Sequence, residues 1–333
     1  MDQLTQTLND TPEKIALFLA KELKDLLQAV PAFRAIRRAF PQAQIGLISF
    51  PEYQEVAQRY AAYVDEFIPF PGHPGLSGRK VKASEVVHFF CAMQQRKWDV
   101  LLSLQEHGST VNHMLMLAGA KLTAGYFEAS IAEMYEADDR FFIPFALTAS
   151  SNSSPLQLVA SLGIPVENDA VEFPLFAEDE GKARQAWPEW QQKSFICIHP
   201  DGDTSHQWPA SHYAWLTRKL ASEGYPTVLT GLHGRQRTLE EVKRLVKDGE
   251  KPAPVIIDQT DLGSLGWIIK QSSLLVSNNC AVTQMAKALQ VPSVVITNDW
   301  KPEQSEKHVV LSEQAAVNLN TVISTLMNLL KDN

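Results

Sequence analysis

The pattern of apolar and polar residues is clearest near the C-terminus, in residues 274–296. Leu274–Val276 is a continuous apolar run, which is typical of a strand whose two faces are both covered. Polar residues end this run, and an apolar stripe at helical spacing follows within 285–289. Pro292 stops that helix before a second buried strand at 293–296. The stretch therefore predicts a strand, a short polar loop, a helix and another strand.

The same alternation of short apolar runs and longer helical patterns continues through both halves of the chain. Such alternation predicts an α/β fold with parallel sheets, because each helix returns the chain to the start of the next strand. The predicted strands are Ile45–Ser49, Val100–Leu104, Phe195–His199, Thr227–Thr230, Val255–Ile257, Leu274–Val276 and Ser293–Ile296, and the predicted helices are Glu52–Tyr63, Ala83–Gln95, Ser211–Glu223, Arg235–Lys247, Gly263–Gln271, Ala281–Leu289 and Ser312–Leu330.

The length of 333 residues favours two domains, each large enough for its own core. A helix ends at Leu162–Pro165, and a polar stretch rich in Glu, Lys and Gln begins near Glu172. We therefore predict domains at 1–172 and 173–333. Two α/β domains of similar size leave a cleft between them, where small-molecule sites prefer to form.

Residues 13–30 do not fit this alternation. Apolar residues from Ile15 to Val30 follow i, i+3, i+4 spacing, and Asp10-Thr11-Pro12 is a helix start signal. The pattern favours one amphipathic helix, Glu13–Val30. The alternative is a strand at Lys14–Ala20, a turn, and a helix from Asp25.

Composition and charge limit the functions and partners that the chain can have. The net charge of −8 disfavours nucleic acid as a partner. The basic side chains Arg34, Arg37 and Arg38 favour a solvated helix face over an anion site. Three widely spaced cysteines form no disulfide framework or zinc motif, which suits a reducing compartment. With no signal peptide and no apolar run of about 20 residues, we expect a cytoplasmic protein whose membrane contact is peripheral.

Candidate ligand-binding residues follow the predicted strands. In open α/β sheets, ligands bind outside the carboxyl ends of the strands. After the strand at 100–104 come Gln105, His107 and Asn112, for which acceptor binding and a local turn role both remain open. Two further candidate segments are Thr230-Gly231 and the loop from Asn278 to Thr283, the second of which leads into a helix start.

Seven segments, in this order and spacing, match one known family over nearly the whole chain: VPAFRAIRRAFPQAQIGLIS (30–49), WDVLLSLQEHGS (98–109), LGIPVENDAVEFPL (162–175), ICIHPDGDTSHQWPASHYAWL (196–216), VLTG (228–231), DQTDLGSLGWII (258–269) and the opening stretch 274–296. On these segments the chain resembles glycosyltransferase family 9, the heptosyltransferase-like enzymes of bacterial surface glycan assembly. That resemblance implies the GT-B architecture, in which two Rossmann-like domains face a cleft. It also implies an inverting, metal-independent transfer from a nucleotide-diphosphate sugar, ADP-linked, to a lipopolysaccharide-like or other glycan acceptor at the cytoplasmic face of the membrane.

The resemblance implies that Asp25 is the general base, which accepts the proton of the attacking acceptor hydroxyl. In the family the first loop is a Gly-rich turn, whereas here Lys21 and Lys24 occupy the expected glycine positions, and Lys24 becomes a candidate acceptor contact. A turn at positive φ is poorly suited to Lys. A plain first-turn role, in which Asp25 favours the helix dipole, therefore remains open beside the catalytic one.

The donor residues also depart from the family pattern. Without a metal, side chains and helix N-terminal amides must stabilise the departing diphosphate. His206 stands where the family has Lys or Arg, Asn279-Cys280-Ala281 replaces Asp-Thr-Gly, and Gln284 replaces His. Asn and Gln keep hydrogen-bonding capacity but cannot carry charge. The predicted donor contacts are Thr204, Ser205, His206, Thr230, Gly231, Asn279, Cys280, Ala281 and Val282.

Three function hypotheses follow, in order of preference. The first is a glycosyltransferase that moves heptose or a similar sugar. The second is a GT-B protein that binds nucleotide-sugar without turnover, because the substitutions fall on polar residues while the core pattern stays intact. The third is a different two-domain enzyme, such as a nucleotide-sugar epimerase. Product formation with an acceptor, binding alone, or donor conversion without an acceptor distinguishes them.

Overall fold

The computed structural model describes residues 2–74, 76, 79–105, 109–128, 142–147, 154–190, 194–200, 208–232, 237–246, 253–278, 281–297, 305–312 and 319–331. The chain divides into two compact units, Met1–Val171 and Glu172–Asn333. Each unit is an α/β structure built on one six-stranded sheet. The predicted fold class, with two Rossmann-like units and parallel sheets, is confirmed.

The first unit has the strand order β3-β2-β1-β4-β5-β6, and every neighbouring pair is parallel. This is the doubly wound order, and its topological switch point lies between β1 and β4. The elements are α1 (Gln3–Leu8), β1 (Lys14–Phe18), α2 (Leu23–Gln28), α3 (Val30–Ala39), β2 (Gln44–Ser49), a 3-10 turn (Pro51–Tyr53), α4 (Gln54–Gln58), β3 (Glu66–Pro69), α5 (Ala83–Arg96), β4 (Val100–Ser103), α6 (Ser109–Met116), β5 (Leu122–Glu128), β6 (Phe142–Leu147) and α7 (Pro155–Ser161).

The single helix favoured for Glu13–Val30 is wrong, and the alternative of a strand, a turn and a helix is what the structure has. Ile15 lies in register with Ile45 on one side and Val100 on the other, so β1 is central in the sheet. Residues 15–18 are fully buried on both faces. A buried strand has no period of its own. The apolar residues of β1 therefore continued the amphipathic pattern of α2 and α3, and the sequence was interpreted as one helix.

The second unit repeats the same topology, with the order β12-β11-β10-β7-β8-β9 and all pairs parallel. Its switch point lies between β7 and β10. The elements are α8 (Ala177–Ala186), β7 (Ile196–His199), α9 (Ala210–Ser222), β8 (Thr227–Leu232), α10 (Arg237–Val246), β9 (Val255–Thr260), α11 (Leu262–Gln271), β10 (Leu274–Asn278), α12 (Ala281–Ala288), β11 (Ser293–Thr297), β12 (His308–Ser312) and α13 (Leu319–Lys331).

Several predicted boundaries are corrected. The helix predicted at Glu52–Tyr63 is a 3-10 turn followed by α4, which ends at Gln58. The helix predicted from Ser312 begins at Leu319, and Ser312 itself ends β12. Strand β10 continues through Ser277 and Asn278, because these polar residues stay paired in the sheet with β7 and β11.

The arginines of α3 form the predicted solvated face only in part: Arg38 is exposed, Arg37 is partly buried and Arg34 is buried. Arg34 is buried and donates to the main-chain carbonyls of Asn168 and Ala170 and, at 2.6 Å, to the Oδ1 atom of Asn168. Arg37 pairs with Asp65, and Arg38 pairs with Glu167. These arginines therefore hold α3 against other segments of the first unit. Within the described ranges, the structure has no helix long and apolar enough to cross a membrane.

Candidate functional site

The carboxyl edge of the first sheet holds Asp25. Strand β1 ends at Phe18, and the chain turns through residues 19–22 into α2. Asp25 lies on the first turn of α2, and its Oδ2 atom accepts a hydrogen bond of 3.1 Å from the main-chain N–H of Glu22. The carboxylate thus caps the helix start. It also lies beside the switch point, where ligands bind in sheets of this topology.

The electrostatic environment of Asp25 balances two effects. Burial raises the pKa of the Asp25 carboxyl above its ordinary value, and the positive charges of Lys21 and Lys24 partly oppose that rise. The Nζ atom of Lys24 lies 3.5 Å from the Glu22 carboxylate. A carboxylate with a raised pKa is a better proton acceptor than an ordinary Asp, which is the property a general base requires.

The turn around Asp25 does not need the glycines that the family pattern implies. Among the described residues, positive φ outside glycine occurs at Asn9, Lys97 and Gln290. Lys21 and Lys24 therefore adopt ordinary backbone conformations, and the loop is not strained at either residue. The lysines can occupy these positions at no conformational cost.

Gln105 and Asn112 make structural contacts. Gln105 is buried, and its Oε1 atom accepts a hydrogen bond of 3.0 Å from the N–H of Ala20. Asn112 is fully buried and donates through Nδ2 to the carbonyl of Tyr126 at 2.6 Å. Its Oδ1 atom lies so close to Gly125 that a Cβ there would be 2.7 Å away. These contacts give Asn112 a packing role, and its acceptor contact stays a prediction. His107 lies outside the described residues.

At the switch point of the second sheet, buried polar side chains connect the ends of β7, β8 and β10. The Nδ1 atom of His199 lies 2.9 Å from the Oγ1 atom of Thr230. Ser277 donates through Oγ to the carbonyl of His199 at 3.0 Å. Thr283 donates through Oγ1 to the carbonyl of Asn278 at 2.7 Å. Thr230 is therefore a structural partner of His199, and these hydrogen bonds hold the carboxyl edge of the second sheet.

The other predicted donor residues divide into two groups. Gly231 was placed at the end of a strand, but it lies inside β8, at an irregularity in the pairing with β9. Ala281 and Val282 begin α12, and Val282 is fully buried, so only Ala281 is partly exposed there. Gln284 is buried on the same helix. The remaining donor candidates lie outside the described residues: Thr204, Ser205, His206, Asn279 and Cys280.

The sequence reasoning missed a set of hydroxyl side chains at the strand ends. Ser49, the last residue of β2, donates through Oγ to the carbonyl of Leu19 at 2.6 Å. Thr260, the last residue of β9, donates through Oγ1 to the carbonyl of Gly231 at 2.9 Å. A signal was available, because apolar strand runs in both halves end in Ser or Thr. Within the part of the chain that the structure describes, no three His, Cys, Asp or Glu side chains come together as a metal site requires.

The cysteines give a prediction on thiol chemistry. Cys197 is fully buried in β7, and burial raises the pKa of its thiol to about 12. At pH 8 only about one part in ten thousand is thiolate, which is the reactive form. We expect iodoacetamide at pH 8 to alkylate exposed Cys91 and to leave Cys197 unmodified in the folded protein. Peptide mass spectrometry measures both sites, and denatured protein, in which both react, is the control.

Comparisons with known proteins agree with this fold. The sequence profile of glycosyltransferase family 9 (heptosyltransferase) matches residues 86–323. A glycosyl transferase family 9 structure from Veillonella parvula superposes with a TM-score of 0.77, at 17% identity over 96% of this chain and 98% of that one. E. coli ADP-heptose lps heptosyltransferase II gives 0.74, at 18% identity over 96% and 99%. E. coli heptosyltransferase WaaC with ADP gives 0.68, at 14% identity over 95% and 97%. No curated protein matches the chain in sequence.

Proposed function

Because the chain belongs to glycosyltransferase family 9, we propose that it transfers a heptose or similar sugar from a nucleotide-diphosphate carrier to a glycan acceptor. The observation that carries this proposal within the family is Asp25. It lies at the carboxyl edge of the first sheet beside the switch point, and burial raises the pKa of its carboxyl.

The proposed reaction is a single displacement. The acceptor hydroxyl oxygen attacks the anomeric carbon, and Asp25 takes the hydroxyl proton as the new C–O bond forms. The bond from the anomeric carbon to the diphosphate oxygen breaks, and the nucleotide diphosphate leaves with the electron pair. Attack opposite to the leaving group inverts the anomeric centre. Lys24, on the same turn as Asp25, is available to contact the acceptor.

We assign the donor to the second unit. The assignment is supported by the strands that precede the two segments in sequence: β7 comes before Thr204, Ser205 and His206, β10 comes before Asn279-Cys280-Ala281, and the switch point of that sheet lies between β7 and β10. Hydroxyls and the N-terminal amides of α12 stabilise the charge of the departing diphosphate without a metal. The assignment of an ADP-linked donor is supported by the similarity to a heptosyltransferase whose structure contains ADP.

A nucleotide panel tests the donor assignment. We expect ADP, at about 100 times its dissociation constant, to stabilise the protein by about 2.7 kcal/mol. For a unit of this size that corresponds to a rise in melting temperature of roughly 5–10 °C. GDP and UDP at equal concentration are expected to give smaller shifts. A larger shift with UDP or GDP would contradict the ADP assignment, and no shift with any of the three would contradict nucleotide-sugar binding.

Transfer itself is tested with ADP-, GDP- and UDP-sugars and a glycolipid acceptor, by following the release of nucleoside diphosphate. Release that depends on the acceptor supports the transferase. Calorimetric binding of nucleotide-sugar with no product at high protein concentration would favour the binding module. Conversion of the donor without any acceptor would favour an epimerase.

A further inference from the structure

The segment that leads into the Asp25 turn is held from two sides by buried side chains. Ser49 donates through Oγ to the carbonyl of Leu19 at 2.6 Å, and Gln105 accepts through Oε1 from the N–H of Ala20 at 3.0 Å. Ser49 is fully buried and Gln105 is 7% exposed. Consecutive residues of the main chain, Leu19 and Ala20, are therefore held by the last residue of β2 and by a residue just after β4, the two strands on either side of β1.

These contacts begin where the sheet hydrogen bonds stop. The N–H of Leu19 still bonds the carbonyl of Ile48, and the N–H of Leu104 bonds the carbonyl of Phe18. Ala20 is the next residue and is itself buried. A buried N–H without a partner is unfavourable. The Gln105 side chain satisfies this N–H and extends the order of the sheet by one residue.

The position of α2 depends on this extension. The helix has six residues, too few to be stable alone, so its orientation is set by what its ends and its buried face contact. Its buried face consists of Leu23, Leu26 and Leu27. Ala20 lies two residues before the N-cap Glu22, so fixing Ala20 fixes where the first turn begins, and Asp25 is on that turn.

We propose that Gln105 and Ser49 are positioning residues for the Asp25 carboxylate. Gln105 acts through the main chain of Ala20. The proposal rests on the proposed function for its catalytic consequence, but not for its structural one. The turn contains no glycine, and side-chain contacts hold the segment that leads into it.

The main test compares Gln105→Leu with Gln105→Glu. Leu removes the acceptor oxygen, so hydrogen exchange of the peptide covering residues 19–27 is expected to become faster. The turnover number is expected to fall by about 10- to 100-fold, since small misplacements of a catalytic group have effects of this size. The KM for the donor is expected to stay within about threefold, because the donor binds the other unit. Glu keeps an acceptor oxygen, so exchange stays near wild type, while its negative charge moves the acidic limb of the pH profile to higher pH.

A matched control and a second variant complete the experiment. Gln94→Leu removes a side-chain bond to the carbonyl of Leu117 in the same unit, away from Asp25, and is expected to leave exchange of 19–27 and turnover unchanged. Ser49→Ala deletes one oxygen atom and replaces Gln105→Leu as the test variant if that protein fails to fold. As in Gln105→Leu, hydrogen exchange of residues 19–27 is expected to become faster and the turnover number to fall. Faster exchange with unchanged turnover overturns the positioning role. Unchanged exchange in both Gln105→Leu and Ser49→Ala overturns the structural contact. An inactive wild-type protein would instead contradict the proposed transfer, and the exchange data would still decide whether these contacts hold the turn.

Discussion

Replacement of Asp25 by Asn is expected to lower the turnover number by about 10²- to 10⁴-fold, the range that a positioned general base contributes. Asn keeps an oxygen that can accept the Glu22 N–H, so the helix start is preserved. The KM for the donor is expected to change little, because the lost interaction involves the acceptor hydroxyl in the transition state. Steady-state release of nucleoside diphosphate in the presence of acceptor measures both parameters.

The direction in which Asp25→Asn changes stability can also be predicted. Burial raises the pKa of Asp25 in the folded state, so ionisation of this carboxyl is less favourable in the folded chain than in the unfolded one. Its contribution to the free energy of unfolding is therefore largest at low pH, below the ordinary pKa, and is lost as pH rises through the raised value. Asn does not ionise. At pH 7 the melting temperature of Asp25→Asn is expected to equal or exceed that of the wild type.

The pH profile supplies an internal check. Asp25 must be deprotonated to act, so turnover rises with pH, and its acidic limb lies above the ordinary pKa of an Asp carboxyl. Lys24→Met removes a charge that lowers the pKa of Asp25 and is expected to move this limb to higher pH. Glu22→Gln removes a charge that raises the pKa of Asp25 and is expected to move the limb to lower pH with turnover otherwise retained. Full activity of Asp25→Asn would leave the residue only its role at the helix start.

The fold was largely predictable because the strands of parallel sheets are short, apolar and separated by helices. Each strand predicted between Ile45 and Ile296 exists, with ends shifted by a few residues. The error at 13–30 has a physical cause, since a central strand buried on both faces carries no alternation to distinguish it from a helix. Strands β3, β5, β6 and β12 were not predicted, and β3, β6 and β12 are edge strands of their sheets.

The sequence predicted where the candidate site residues lie better than it predicted what each of them does. Parallel topology brings residues at and after the strand ends to the carboxyl edges, where the sequence predicted Gln105, after β4, and Thr230, near the end of β8. Asp25 was expected there only from the family resemblance, because the helix favoured for 13–30 would have enclosed it. Pattern cannot reveal which of them are buried. Gln105 accepts a hydrogen bond from Ala20, which is 85 positions away in the chain, and Thr230 forms one with His199, which is 31 positions away. Only the three-dimensional structure separates a side chain that holds an edge from one that faces a ligand.

Replacement of Trp208 by Ala is expected to cost about 3–5 kcal/mol of stability in the second unit, the range for removing a buried Trp side chain. Trp208 is 1% exposed and packs edge-to-face on Tyr213 at 4.8 Å and His212 at 5.4 Å between ring centroids. Its indole N–H has no hydrogen-bond partner within the described part of the chain. Trp208→Phe therefore loses only volume and ring contacts, and is expected to cost roughly 1–2 kcal/mol. Trp215→Ala is the matched control, because Trp215 lies on α9 and is only partly buried. Its cost in stability is expected to be roughly half that of Trp208→Ala or less.

The functional consequence of Trp208→Ala follows from its place in the chain. Trp208 directly follows residues 201–207, which carry the proposed diphosphate contacts Thr204, Ser205 and His206. Loss of its ring frees the start of α9, so the segment must be ordered again each time a nucleotide binds, and affinity falls. In Trp208→Ala, the second unit is expected to unfold at a lower denaturant concentration, and the stabilisation by ADP is expected to be lost. Trp215→Ala is expected to retain the stabilisation by ADP. Unchanged ADP affinity in a folded Trp208→Ala protein would mean that the proposed diphosphate segment is held by other contacts, and would separate the structural role of this side chain from donor binding.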